Sequence, residues 1–179
     1  MKILPRTQFG NPILRAKAKR VSPKFLKTTK GKKLIKSMIY TMRRDNGVGL
    51  AAPQIGQPLR IAVMEMRSSI NRPNIKHKGP IVVMNPKILK YSKNKINDWE
   101  GCLSLRGIRA MVPRSKIITV EYHDENGKKI TEEATGFWAR IFQHEIDHLN
   151  GLGYMDKIEN TKTIMMFSEY KKRVTKKKK

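Results

Sequence analysis

Two histidines four apart, His144 and His148, enclose a glutamate in the segment His144-Glu145-Ile146-Asp147-His148. On a helix, residues i and i+4 share one face a turn apart, so both imidazoles can reach one metal ion. Glu145 follows the first histidine, where its carboxylate can reach a water on that metal without binding the metal itself. This is a layout for metal-activated water with a carboxylate proton shuttle. The plain alternative is a pair of surface histidines on an amphipathic helix. Of the four histidines in the chain, the other two, His77 and His123, fall in a polar stretch and at a strand end and read as ordinary surface residues.

A catalytic metal site usually takes three protein ligands and leaves one position open. No histidine follows His148, but Glu159 and Glu169 do, so a zinc endopeptidase is not excluded by ligand type. The single cysteine, Cys102 in Glu100-Gly101-Cys102-Leu103-Ser104, is another candidate third ligand, because thiolate suits zinc and ferrous iron. A buried apolar cysteine and a nucleophilic cysteine paired with a histidine are the other readings of that residue.

The elements that must position these groups follow from periodicity. Trp138, Ile141, Phe142 and Leu149 form an apolar stripe that predicts a helix over Phe137 to Leu149, ended by Asn150-Gly151. A second helix is predicted over Lys32 to Arg44 from Leu34, Ile35, Met38, Ile39 and Met42, with Asn46-Gly47 as its stop. Strands are predicted at Arg60 to Met66, Ile81 to Met84, Lys116 to Tyr122 and Lys128 to Ala134, the last two joined by an Asn126-Gly127 hairpin turn. Gly47 to Gly56 is too rich in Gly and Pro for a regular element, and the polar run Ser68 to Gly79 reads as a loop. The sum is an α+β fold with mainly antiparallel strands packed around the helix that carries the two histidines.

The chain has 179 residues, enough for one domain with a real core. We expect a domain over residues 1–170 and a basic, disordered tail over 171–179 (KKRVTKKKK). With 39 basic and 14 acidic residues the net charge is +25, which favours an acidic or polyanionic partner; nucleic acid, the ribosome and an anionic membrane surface all fit the charge alone. No apolar run approaches the ~20 residues of a membrane span. Residues 1–44 contain no acid, but Pro5 and Pro12 interrupt any amphipathic targeting helix there, and no secretory signal is visible. One cysteine permits no intramolecular disulfide, in keeping with a reducing compartment.

Three segments together go further. Gly47-Val48-Gly49-Leu50-Ala51-Ala52-Pro53-Gln54-Ile55-Gly56, Glu100-Gly101-Cys102-Leu103-Ser104 and Gln143-His144-Glu145-Ile146-Asp147-His148 resemble the three signature motifs of peptide deformylases, in the family's order and with similar separations. The opening Pro12-Ile13-Leu14-Arg15, with Ala18 and Val21, is also similar, so the resemblance runs from about Ile3 to Lys157.

The resemblance implies a hydrolase that removes the N-formyl group from the initiator methionine of new proteins. It implies Cys102, His144 and His148 as metal ligands and Glu145 as the proton shuttle. Gln54 and the backbone N–H of Leu103 would stabilise the oxyanion. Gly49 would bind the substrate main chain, Val48 and Ile141 would stand at the methionine pocket, and Arg109 would contact the peptide beyond it. For Val48 and Ile141, core packing is an equal alternative.

Ferrous iron is the cofactor the resemblance implies in the cell, with zinc or nickel in purified protein. The implied partners are formylated nascent peptides and, through the basic tail, the ribosome. We expect a cytoplasmic monomer. Trp138-Ala139-Arg140-Ile141 looks more like the mitochondrial and plant-type branch, whereas Leu103 matches the common bacterial form, so an organellar home stays open. Leu105-Arg106-Gly107 departs from the bacterial pattern, which usually carries a proline nearby. An RNA-binding protein without catalysis is the reading from another class, supported by charge alone.

Overall fold

The computed structural model describes residues 2–68 and 75–175. Its centre is a five-stranded, wholly antiparallel sheet in the order β1 (Gly49–Ala51), β2 (Ile61–Met66), β3 (Lys78–Tyr91), β6 (Ile117–His123), β7 (Lys129–Thr135). A second sheet pairs β4 (Lys95–Cys102) with β5 (Leu105–Ser115) and β5 with the short β8 (Met165–Met166). The main helices are α2 (Thr29–Arg44), preceded by the short α1 (Pro23–Lys27), and α3 (Gly136–Leu149).

Strand β2 shows why the two long helices lie where they do. Its residues Ile61 to Glu65 are buried without alternation, so both faces of the sheet are covered. Ile61 and Val63 pack with Ile35, Met38 and Met42 of α2, while Met64 packs with Trp138, Phe142 and Ile146 of α3. The Thr28 hydroxyl caps α2 by accepting from the Gly31 N–H (3.0 Å). Its exposed side is Lys32, Lys33, Lys36, Tyr40, Arg43 and Arg44. Helix α3 is buried nearly all round, polar residues included, as a central helix must be.

The α+β architecture, the antiparallel pairing and the central helix match expectation, as do the Asn126-Gly127 turn between β6 and β7 and the ends of α3. Three features differ. Gly47 to Gly56 is not irregular throughout: Gly49–Ala51 pairs with β2 and Ala52–Ile55 forms a 3-10 turn. The long β4–β5 hairpin has no counterpart among the predicted strands, because it carries no clean apolar alternation: Lys95 to Asn97 are exposed, and buried positions include Glu100, Arg114 and Ser115. Finally, Lys171–Thr175 is helical rather than a disordered tail. It continues α4 (Phe167–Tyr170) as a wider turn held by Glu169, which pairs with Lys172 and Arg173. The remainder of the expected tail, 176–179, and most of the expected loop after Ser68 lie outside the described residues.

Candidate metal centre and catalytic cleft

The fold carries Cys102, the last residue of β4, up to the buried face of α3. The Cys102 sulfur and ring nitrogens of His144 and His148 all lie within 4.8 Å of one another. Sγ stands 3.2 Å from His148 Nε2. It also accepts from Gln54 Nε2 and from the Ser104 N–H, each at 3.3 Å. Burial pushes the thiol up, but the facing His148 and His144 imidazoles outweigh it and hold Cys102 well below its ordinary range. Burial likewise disfavours a charged His144, yet the sulfur and Glu100 hold that ring well above its ordinary value. Two imidazole nitrogens and one thiolate within reach of a single point are a donor set that fits a divalent cation such as zinc or ferrous iron.

Glu100 orients the histidine. Its Oε2 lies 2.9 Å from His144 Nδ1, which must carry the proton in that contact and so turns Nε2 towards the sulfur side. Glu100 is itself gripped by Arg114 (2.9 and 3.1 Å) and Arg140 (2.7 Å), and Arg114 reaches on to Asp147 of α3 (2.5 Å). Burial alone would raise the Glu100 carboxyl; His144 and Arg114 overcome that and hold it far below the usual carboxylate range.

Glu145 faces the same space from the next position on α3. It is buried, and its Oε2 has no protein partner among the described residues. Burial pushes its carboxyl up to about 7, against the opposing pull of His144 and His148. The approach is possible because residue 49 is glycine: a Cβ there would lie 2.1 Å from Glu145 Oε1. Gln54 is fixed from behind, its Oε1 accepting from the Ala51 N–H at 2.8 Å, so its amide N–H group points at the sulfur.

A cavity of about 260 Å³ opens over this cluster. Val48, Gly49, Gln54, Cys102, Leu103, Arg109, Ile141, His144 and Glu145 all line it, and His148 lies directly behind Cys102. All ten residues singled out from sequence are therefore brought together. His77 and His123 are not: His77 pairs with Glu65 at 3.3 Å, and neither lines the cavity. Sequence reasoning missed the orienting set of Glu100, Arg114, Arg140 and Asp147. One signal was available, since alternation along a strand puts Glu100 on the same face as Cys102. It also missed Trp99, Phe137 and Tyr170, which line the cavity from three different elements.

The chain as a whole is similar to known proteins. Residues 3–163 match the family described as polypeptide deformylase. Peptide deformylase 2 of Nostoc sp. is 41% identical over 174 residues, spanning 97% of this chain and 96% of the relative. The chloroplastic/mitochondrial peptide deformylase 1A of Arabidopsis thaliana is 42% identical over 158 residues, 83% of this chain and 59% of that protein. Among solved structures, the Met-Ala-Ser-bound class I type b peptide deformylase of Acinetobacter baumannii superposes with a TM-score of 0.85 at 35% identity, covering 88% of this chain and 99% of that one.

Proposed function

The chain belongs to the polypeptide deformylase family, metal-dependent hydrolases that remove the N-formyl group from nascent peptides, and we infer that Cys102, His144 and His148 hold its metal, ferrous iron in the cell and zinc or nickel after purification in air. A metal held there supplies a nucleophile at neutral pH by lowering the pKa of water. The observation that carries the assignment is the convergence of the three donor atoms beside an unpartnered, buried Glu145 oxygen.

The chain's own groups divide the remaining work. Glu145 takes the proton of the attacking water and returns it to the departing methionine nitrogen, since an amine leaves poorly unless protonated. The Gln54 amide and the Leu103 N–H donate to the formyl oxygen as it becomes negative, without adding a charge to the site. Gly49 lies beside the substrate main chain, and its missing side chain leaves room for Glu145. Val48, Ile141 and Phe137 present the apolar wall that suits a methionine side chain. Arg109 contacts the peptide beyond it.

The protein acts as a cytoplasmic, bacterial-type monomer that meets its substrates at the ribosome, where Lys171 to Lys179 add salt-sensitive phosphate contacts. Deleting that segment should weaken ribosome affinity more at low salt than at high salt; equal affinity would remove the tail from the account. No helix among the described residues is long and apolar enough to cross a membrane.

The direct test is formate release from formyl-Met-Ala-Ser by protein loaded anaerobically with Fe(II), beside Glu145→Ala. Turnover by the wild type and its loss in the variant at equal metal content are expected. Full metal content with no formate would overturn the assignment.

A further inference from the structure

The cleft does not end at the methionine wall. Trp99 of β4 and Tyr170 of α4 line the same cavity as the catalytic groups, though 71 positions separate them in sequence. They meet edge to face with ring centroids 5.2 Å apart. Tyr170 stacks on Phe167 (6.0 Å), and Phe167 lies under the Arg109 guanidinium (4.6 Å). The segment is fastened by β8, where Met165 and Met166 pair with Arg109 and Ile108 of β5. Gly101 lets Arg109 cross β4 at that point, because a Cβ there would strike the guanidinium at 1.9 Å. Trp99 precedes Cys102 by three residues on β4, about 10 Å of extended strand, so the aromatic cluster begins roughly that far from the sulfur-bearing residue. An extended peptide covers that distance in roughly three residues.

We propose that Trp99 and Tyr170 form an outer subsite of the cleft that receives the side chain of one of the two residues following methionine and selects aromatic over basic ones. The proposal rests on the deformylase reading and names the substrate class of that site. Two half-buried aromatic rings offer offset or edge-to-face contact to a third ring. Arg109 at the same end has no carboxylate within ion-pair distance among the described residues, so a substrate lysine or arginine meets like charge there. The C-terminal segment β8–α4 thereby becomes part of the substrate path.

The test compares kcat/KM for formyl-Met-X-Ser and formyl-Met-Ala-X, with X as Phe, Ala or Lys, in wild type, Trp99→Ala, Tyr170→Ala and the conservative pair Trp99→Phe and Tyr170→Phe. Metal content and thermal unfolding are measured alongside. In wild type the Phe peptide of one series should exceed its Ala peptide, and Lys should fall below it. Each alanine variant should lower the Phe/Ala ratio about three- to tenfold through KM, with kcat kept, while the phenylalanine variants retain the ratio. Folded, metal-loaded alanine variants whose ratio stays at the wild-type value, or in which all peptides fall equally, would overturn the subsite. A wild type that cleaves none of the formyl peptides would overturn the deformylase reading, and the subsite with it.

Discussion

Gly49→Ala isolates the placement of the Glu145 carboxylate, the proton shuttle of the proposed mechanism. The new Cβ would sit 2.1 Å from Glu145 Oε1, 2.6 Å from Cδ and 2.8 Å from Cγ, whereas ordinary contact begins at 3.4 Å. Restoring contact moves the carboxylate oxygen from 2.1 to 3.4 Å, a retreat of about 1.3 Å if the strand holds still. The strand has reason to hold, since Gly49 pairs with Met64 in the central sheet and Leu50 is buried against α2. A displacement of ~1 Å at a reacting group costs about a hundredfold in rate, close to 2.7 kcal/mol of barrier. Gly49 does not have a positive φ, so alanine brings no backbone strain to confuse the result. The assay is kcat/KM on formyl-Met-Ala-Ser at matched metal content, with Glu145→Ala and the double variant in parallel. The double variant should be no slower than Glu145→Ala alone, because both changes act through one carboxylate. Activity of Gly49→Ala within threefold of wild type, or additive losses in the double variant, would refute the argument.

Three further outcomes are expected. Glu100→Gln leaves Arg114 and Arg140 buried without their carboxylate and frees the His144 ring; metal affinity by competitive chelation should fall about 10- to 100-fold, and stability by about 3 kcal/mol or more in denaturant titration. Gln54→Leu removes a donor aimed at the site and should lower kcat by about 10²- to 10³-fold with metal retained; a change confined to KM would argue for simple substrate binding instead. Glu65, hydrogen-bonded to Arg43 and near Arg67 and His77, is held below its ordinary value despite burial. A depressed carboxylate adds stability above its unfolded pKa that is lost as pH falls through the native one, so Glu65→Gln should flatten the acid limb of the stability curve below about pH 4.5, and an unchanged limb would count against it.

How much of this was readable in the chain depends on the range of the interactions. The helix α3 and its paired histidines are local facts, set by a 3.6-residue period and a stop at Asn150-Gly151, and they stood out at once. The β4–β5 hairpin did not. Several of its buried positions are polar (Glu100, Arg114, Ser115), Pro113 and Gly107 interrupt it, and its pairing with β8 joins residues more than 50 apart. Cys102 as a ligand was likewise invisible to periodicity, because nothing local brings it to a helix 42 residues later; its thiolate chemistry made it one candidate, and the three motifs taken together favoured it. Trp99 and Tyr170 carried no signal, since nothing local relates two aromatics 71 positions apart until β8 folds the C-terminal segment back.

The same division explains why the metal centre needs so many buried charges around it. The apolar cluster joining the hairpin to its surroundings is small: Cys102, Ala110, Val112 and Tyr154. Apolar contact of that size is non-directional and would tolerate a hairpin slid or tilted against α3. The charged groups do not tolerate it. Arg140 donates to the carbonyls of Ile96 and Val112 as well as to Glu100, which ties one helical side chain to both strands. Arg114 spans from Glu100 on β4 to Asp147 on α3, one residue before the second histidine. Buried ion pairs of this kind give little net stability, because desolvation offsets much of their attraction. Their geometry, however, has few alternatives. Fixing Glu100 fixes both the strand position of Cys102 two residues on and the ring of His144, so one carboxylate sets the distance between ligands that come from separate parts of the chain.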